Sequence, residues 1–333
     1  MPRLEQGAGM KRRDFIAGLG GATAWPLAVN AQQGVTPIVG FLSGGSPGTF
    51  NHYVVALRRG LAENGFADGH VAVEYRWAEG QLDRLPALAN DLVRARVSAI
   101  CAGGPPAALA VKATTSTIPI VFTSGEDPVK IGLVASYNQP GGNVTGIAIL
   151  LNVLNAKRLG LLRELVPAAT LIAVMLNPTE SAFNTELEDV REAALATRQK
   201  IHVLSASTEG EIDAAFAIAK EIGAGAMLVG SSFFFSIRRE QVTRLAARAG
   251  LPAIYGQRDY ITIGGLISYG TNVADAYYQA GGYMSRILKG ARPADLPVVQ
   301  TTKFELVINL KTAKDLGLDL PLSMQQLADE VSE

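Results

Sequence analysis

From residue 37 onward, short aliphatic runs alternate with longer amphipathic ones. That rhythm fits βαβ units feeding parallel sheets and little else. Pro37 to Leu42 reads as the first strand. Tyr53 to Asn64 reads as a helix with Val54, Leu57 and Leu61 on one face and Gly65 placed to end it. Val71 to Tyr75 continues as a strand, and Asp83 is placed to cap a helix carrying Leu85, Leu88 and Leu92 on one side. Val97 to Cys101 and Ile118 to Thr123 supply further strands around a helix at Ala107 to Thr114.

The rhythm breaks at Asn138-Gln139-Pro140-Gly141-Gly142-Asn143, a turn-rich segment too polar for a core element. It restarts at Ala156 and runs through strands at Leu171 to Leu176, His202 to Ser205, Ala226 to Gly230 and Pro252 to Tyr255, each followed or preceded by a helix. The chain therefore reads as two similar α/β halves. A tail (Gly264 to Gly270, a helix at Ala274 to Leu288, a turn at Pro293 to Pro297, a strand at Phe304 to Leu310) does not extend the second half's rhythm. Such a tail is able to return to the first half and cross once more, and three crossings make a hinge.

Residues 1–31 read as an export signal: Lys11-Arg12-Arg13 leads a small-residue apolar stretch that ends at Val29-Asn30-Ala31. Arg12-Arg13 gives it a twin-arginine flavour. A membrane anchor is the alternative, but Gly18, Gly20, Gly21 and Pro26 interrupt a stretch of roughly 15 residues, short of the ~20 that span a bilayer. With no cysteine at the cleavage point, a lipid anchor is not expected, and Met10 is a second candidate start.

The first 31 residues hold four basic side chains (Arg3, Lys11, Arg12, Arg13) and two acidic ones (Glu5, Asp14) out of 30 of each sign, which leaves 26 against 28 in the remainder. A balance so close to neutral argues against nucleic acid and anionic membranes as partners. Hydrophobic content of 48% with 18% charged residues fits a globular protein with a large aliphatic core. The single cysteine, Cys101, ends an apolar run and reads as a small core residue.

Catalytic motifs are weak. Gly44-Gly45-Ser46-Pro47-Gly48 matches the nucleophile-elbow pattern, which keeps a secreted serine hydrolase using Ser46 as an alternative. Its oxyanion hole needs the backbone N–H of the residue after the nucleophile, and Pro47 has none. Neither a dinucleotide nor a Walker phosphate motif is present, and no pair of histidines has metal-ligand spacing. No cofactor and no metal are expected.

A polar, small-residue loop does recur at the C-terminal end of successive strands: Ser43 to Ser46, Gly103 to Pro106, Ser124 to Asp127, Asn177 to Ser181, Ser231 to Phe234, and Gly256 to Asp259. In open α/β sheets ligands bind beyond those strand ends. Asp127 is placed to hold an amine, Arg258 a carboxylate, and Phe233, Phe234 or Tyr255 an apolar or aromatic portion of a ligand.

Taken together, Pro119-Ile120-Val121-Phe122, Asp127-Pro128-Val129, Gly132 to Ser136, Pro140-Gly141-Gly142-Asn143-Val144-Thr145-Gly146 and Phe304 to Lys314 resemble the tryptophan-binding-like substrate-binding proteins of ABC transporters. The resemblance covers about residues 36 to 330, in order. It implies a type I periplasmic-binding-protein fold: two Rossmann-like α/β lobes with parallel sheets, joined by a three-strand hinge, with ligand in the cleft. By resemblance the crossovers fall near Asn143 to Gly146, Ser268 to Gly270 and Val298 to Phe304. Lobe I then holds 36–144 plus 269–297, and lobe II 145–268 plus 298–333. Ser43, Ser46, Gly104, Pro105, Ser124 and Asp127 would line the first wall, and Asn177, Glu180, Ser232, Phe234, Tyr255 and Arg258 the second. Similar members often carry an acidic residue and an asparagine around the Phe-Phe pair, where this chain has Ser232 and Ser236.

The expected function is capture of a small polar or aromatic metabolite, amino-acid-like or a carboxylate, and its delivery to an ABC permease in the periplasm, without bond making or breaking. A ligand-sensing module for a membrane kinase needs the same cleft and is the other alternative. A monomer is the default.

Overall fold

Along β1 (Ile38–Ser43), Val39 and Phe41 point to one face of the sheet and Leu42 to the other, and both faces are buried. That requires helices on each side. The computed structural model describes residues 36–67, 69–149 and 154–332, and the export-signal reading of residues 1–31 falls outside them. The first half continues through α1 (Pro47–Glu63), β2 (Ala72–Trp77), α2 (Leu85–Arg94), β3 (Ala99–Gly103), α3 (Pro105–Thr114), β4 (Ile120–Ser124) and β5 (Val144–Ala148). The second half runs α4 (Asn155–Leu165), β6 (Leu171–Leu176), α5 (Phe183–Ala196), β7 (Lys200–Ser205), α6 (Glu209–Glu221), β8 (Ala226–Val229), α7 (Phe233–Ile237), α8 (Arg239–Ala249) and β9 (Ala253–Tyr255). The tail adds β10 (Ile267–Thr271), α9 (Val273–Leu288), β11 (Val299–Gln300), β12 (Phe304–Asn309), α10 (Leu310–Asp315), α11 (Leu322–Leu327) and β13 (Glu330–Ser332).

Among the described residues these strands form two sheets, one ordered β11-β5-β4-β3-β1-β2 and one ordered β13-β12-β10-β9-β8-β6-β7. Every pairing is parallel except β10 with β12. The expected two-lobed α/β fold is the one observed. In the first lobe α1 and α9 cover one face over Phe41, Cys101 and Val121, and α2 and α3 cover the other over Leu42, Ile100 and Phe122. Cys101 is fully buried, and burial pushes its thiol up to about 12, so it behaves as core.

Strand pairing moves the lobe boundaries. β5 pairs along its whole length with β4, so 145–148 belong to the first sheet. Tyr269 to Thr271 stay in the second sheet opposite β12, and Val299–Gln300 pair with β5 in the first. The chain therefore passes between the sheets after β5 and before α4, between Thr271 and Val273, and between Gln300 and Phe304. The resemblance put the first crossover near Asn143 to Gly146. Gly146 instead lies inside a strand, where a Cβ would sit 2.3 Å from the Phe122 carbonyl oxygen. Asp83 also does not cap α2; it lies within a 3-10 turn, Leu82–Arg84, that leads into the helix.

Among the described residues no helix is long and apolar enough to cross a membrane, and no cluster of three His, Cys, Asp or Glu side chains is placed to hold a metal ion.

Candidate functional site

The C-terminal strand ends of the two sheets meet across a cleft. The first lobe contributes Phe50 and Tyr53 of α1, Gly104 and Pro105 after β3, Glu126 after β4, and Tyr277 of α9. The second contributes Glu180, Ser231, Phe233, Ser236 and Gln257, all from loops that follow strands or the helix turns they start. The space they enclose, counted with its opening to solvent, is about 530 Å³.

Aromatic rings dominate the lining. Tyr53 stacks on Tyr277 with centroids 4.8 Å apart, Phe50 meets Tyr53 edge-on at 5.3 Å, and Phe233 reaches from the second lobe to within 6.1 Å of Phe50. Two glycines admit Phe233. A Cβ on Gly104 would lie 2.4 Å from its ring and one on Gly44 2.8 Å away, and Gly104 also holds φ of +91°, a conformation glycine adopts without strain.

Glu180 is the acidic group of the second wall. The Ser232 hydroxyl, the Phe233 backbone N–H and the Asn177 amide at 3.4 Å all donate to its carboxylate. Burial pushes its carboxyl up to about 7; those donors act against the shift, and the nearby charge of Glu126 adds to it. Behind this wall lies a buried polar layer. Arg158 is fully buried and donates to the Tyr269 carbonyl at 2.8 Å, to Asn155 at 2.9 Å and to Ser231 at 2.8 Å. Burial raises the neighbouring Glu186 carboxyl to about 8, and Arg158 pulls it part of the way back. Burial also lowers the Arg158 guanidinium to about 10.

Among the described residues, polar contacts to Glu126, Asp259 and Thr49 tie the lobes together. Ser181 donates through its N–H, at 3.0 Å, and its hydroxyl to Glu126. The Tyr53 hydroxyl donates to Asp259, whose other oxygen lies 2.7 Å from His52 Nε2. Arg239 donates to the Thr49 carbonyl while its guanidinium sits over the Phe50 ring. Burial works to raise the Asp259 carboxyl, but hydrogen bonds from His52 and Tyr53 outweigh it and hold the group below its ordinary value.

Of the residues expected from sequence, Gly104, Pro105, Glu180 and Phe233 line the cleft directly. Ser43 accepts from the Gly45 N–H, and Ser46 begins α1 bonded to the Thr49 hydroxyl at 2.9 Å, so both shape the first loop. Ser124 closes a turn around Glu126, and Asn177 and Ser232 position Glu180. The others turn elsewhere. Asp127 caps its own turn at the Val129 and Lys130 N–H groups, so its carboxylate is spent locally. Arg258 pairs with Glu305 at 3.2 Å and Glu330 at 2.6 Å. Phe234 packs beside Phe235, and Tyr255 is buried in the second-lobe core against Tyr260.

Phe50, Tyr53 and Tyr277 were missed because α1 was started at Tyr53. Ser46-Pro47, an N-cap residue followed by proline at the first helical position, was the available signal for a start six residues earlier. Tyr277 needed the knowledge that α9 returns to pack on α1.

A family model described as ABC transporter substrate binding protein matches residues 13–332. The chain belongs to this family. It is 27% identical over 262 residues to the tyrosine-binding protein of Clostridioides difficile strain R20291, a match that spans 78% of this chain and 75% of that one. The ABC domain in complex with L-Trp from Streptococcus pneumonia aligns at a TM-score of 0.80 with 23% identity, over 89% of this chain and all 100% of the other. A conserved domain protein from Vibrio cholerae O1 biovar El Tor strain N16961 aligns equally well, at 0.80 with 25% identity, over 90% and 100%. The shared architecture is the type I periplasmic-binding-protein fold. Members of this substrate-binding family bind solutes outside the cytoplasmic membrane and are not enzymes, so the hydrolase reading of Ser46 falls. The structure gives the physical reason: Ser46 is a helix-start residue bonded to Thr49 and followed by proline.

Proposed function

We propose that this substrate-binding protein captures an aromatic amino acid between its lobes and passes the closed complex to an ABC permease, working in the periplasm after export through residues 1–31. The observation that carries the ligand class is the ring set Phe50, Tyr53, Phe233 and Tyr277 gathered around one cleft with Glu180 on its wall. The rings would sandwich an aromatic side chain and the carboxylate would meet an α-ammonium group. The tyrosine-binding and L-Trp-bound relatives support the same class. Contacts from both lobes favour closure to the extent that they are better in the closed state. The family match starting at residue 13, inside the basic stretch, supports a leader as part of the family pattern.

A thermal-shift series on the purified protein with tyrosine, tryptophan, phenylalanine, leucine and glutamate tests the reading. At a hundred times its Kd a cleft ligand adds about 2.7 kcal/mol of stability. An aromatic amino acid is expected to raise the melting temperature and glutamate to leave it unchanged; a shift with glutamate alone would reject the assignment.

A further inference from the structure

Resting on the reading above, we propose that the cleft reads the ammonium group of its ligand and not the carboxylate, so that aromatic amines are bound as well as the matching amino acids. The groups facing the cleft are unbalanced in sign. Glu126 and Glu180 are acidic, and among the described residues none that lines it is Lys, Arg or His. Two guanidinium groups close to the cleft already have partners. Arg239 donates to the carbonyls of Thr49 and Ser236, and Arg158 lies one layer back, behind Ser231, bonded to Tyr269, Asn155 and Ser231.

Helix starts, the other common source of anion-binding donors, are depleted here: α1 has Pro47 at its first position and α3 has Pro105 and Pro106 at its first two, which removes three of the N–H groups that could meet a carboxylate. At α7 the Phe233 N–H points to an internal anion, the Glu180 carboxylate. An ammonium has the opposite reception. Glu180 supplies a carboxylate, and Phe50, Tyr53, Phe233 and Tyr277 supply ring faces of the kind that attract cations.

Calorimetric titration of the full chain with three ligands of one skeleton separates the outcomes: tyrosine, tyramine, which lacks the carboxylate, and 3-(4-hydroxyphenyl)propanoate, which lacks the amine. The same triplet built on tryptophan runs alongside. The expected result is a tyramine Kd within about threefold of that for tyrosine and a propanoate Kd at least about 100-fold weaker, because without the amine the ligand brings a carboxylate to a wall of like charge and no counter-charge to Glu180. Glu180→Gln is expected to weaken tyrosine and tyramine alike by about tenfold or more while keeping the unliganded melting profile cooperative. Binding of the amino acid and the propanoate without the amine, or of the amino acid alone, would overturn this inference and leave the aromatic assignment standing. No binding by any member of either triplet would overturn both.

Discussion

The Phe233 ring lies against Gly104 so closely that a single added methyl group would sit 2.4 Å from it. An aromatic side chain from the second lobe is thereby seated in a loop of the first, and this contact depends on that loop having no Cβ.

Gly104→Ala is therefore expected to push Phe233 out of its seat and to strain a backbone held at positive φ. Overpacking and strain together cost about 2 kcal/mol. We expect a lower melting temperature and ligand affinity reduced by about tenfold, measured by thermal melts and calorimetry. Gly48→Ala, with nothing within 4 Å of its Cβ, serves as the neutral control.

Asp259 holds both His52 and Tyr53 across the lobe boundary. Asp259→Asn keeps the shape but removes the charge, a loss of about 1–2 kcal/mol from the closed state. Small-angle scattering of the variant should show a larger radius of gyration than the parent, and saturating ligand should bring it back. An unchanged radius in both conditions would remove Asp259 from the closure mechanism.

The buried carboxyls set two opposite pH trends. Glu180 is raised from 4.5 to about 7, and Glu186 from 4.5 to about 8. For each group the folded state holds its proton more tightly than the unfolded state. The unliganded protein is therefore most stable below about pH 4.5 with respect to these two groups and loses that part as pH rises through 7 to 8. Other carboxylates have their own effect at strongly acid pH, so the useful window is pH 5.5 to 8, where a fall in melting temperature of roughly 3 °C or more is expected. Ammonium binding runs the other way, since it needs the Glu180 carboxylate: affinity should rise with pH up to about 7 and level off. Glu180→Gln should flatten the binding trend and part of the stability trend.

Arg158 is enclosed with Glu186, Asn155 and Ser231 beneath the cleft wall. Arg158→Met removes the donor shared by the Tyr269 carbonyl, Asn155 and Ser231 in this buried layer, which costs about 3 kcal/mol. Denaturant unfolding should show that loss, and an unchanged midpoint would contradict it.

The fold was legible because its signals are local. Aliphatic runs such as Ile172 to Leu176 and Ala226 to Val229 are buried on both sides, so they carry no amphipathic ambiguity. Boundaries were less legible: the crossovers rested on resemblance alone, and Gly146 lies inside β5, where it permits close strand packing. The site was legible at the loops but not in its chemistry. Asp127 and Arg258 carry charges that suit a zwitterion, yet each is satisfied within its own lobe. The rings that line the cleft come from helices: Phe50 and Tyr53 from the first, and Tyr277 from one more than 200 residues later, joined only by tertiary packing.

The central claim is that these rings form a ligand seat, and calorimetric titration with L-tyrosine and L-tryptophan of the parent beside Tyr277→Ala tests it most directly. The account predicts one saturable site for at least one of the two amino acids and a loss of roughly 100-fold in affinity in the variant, in keeping with removal of a buried aromatic contact. Binding of equal strength in both proteins, or none of either ligand to the parent, would contradict it.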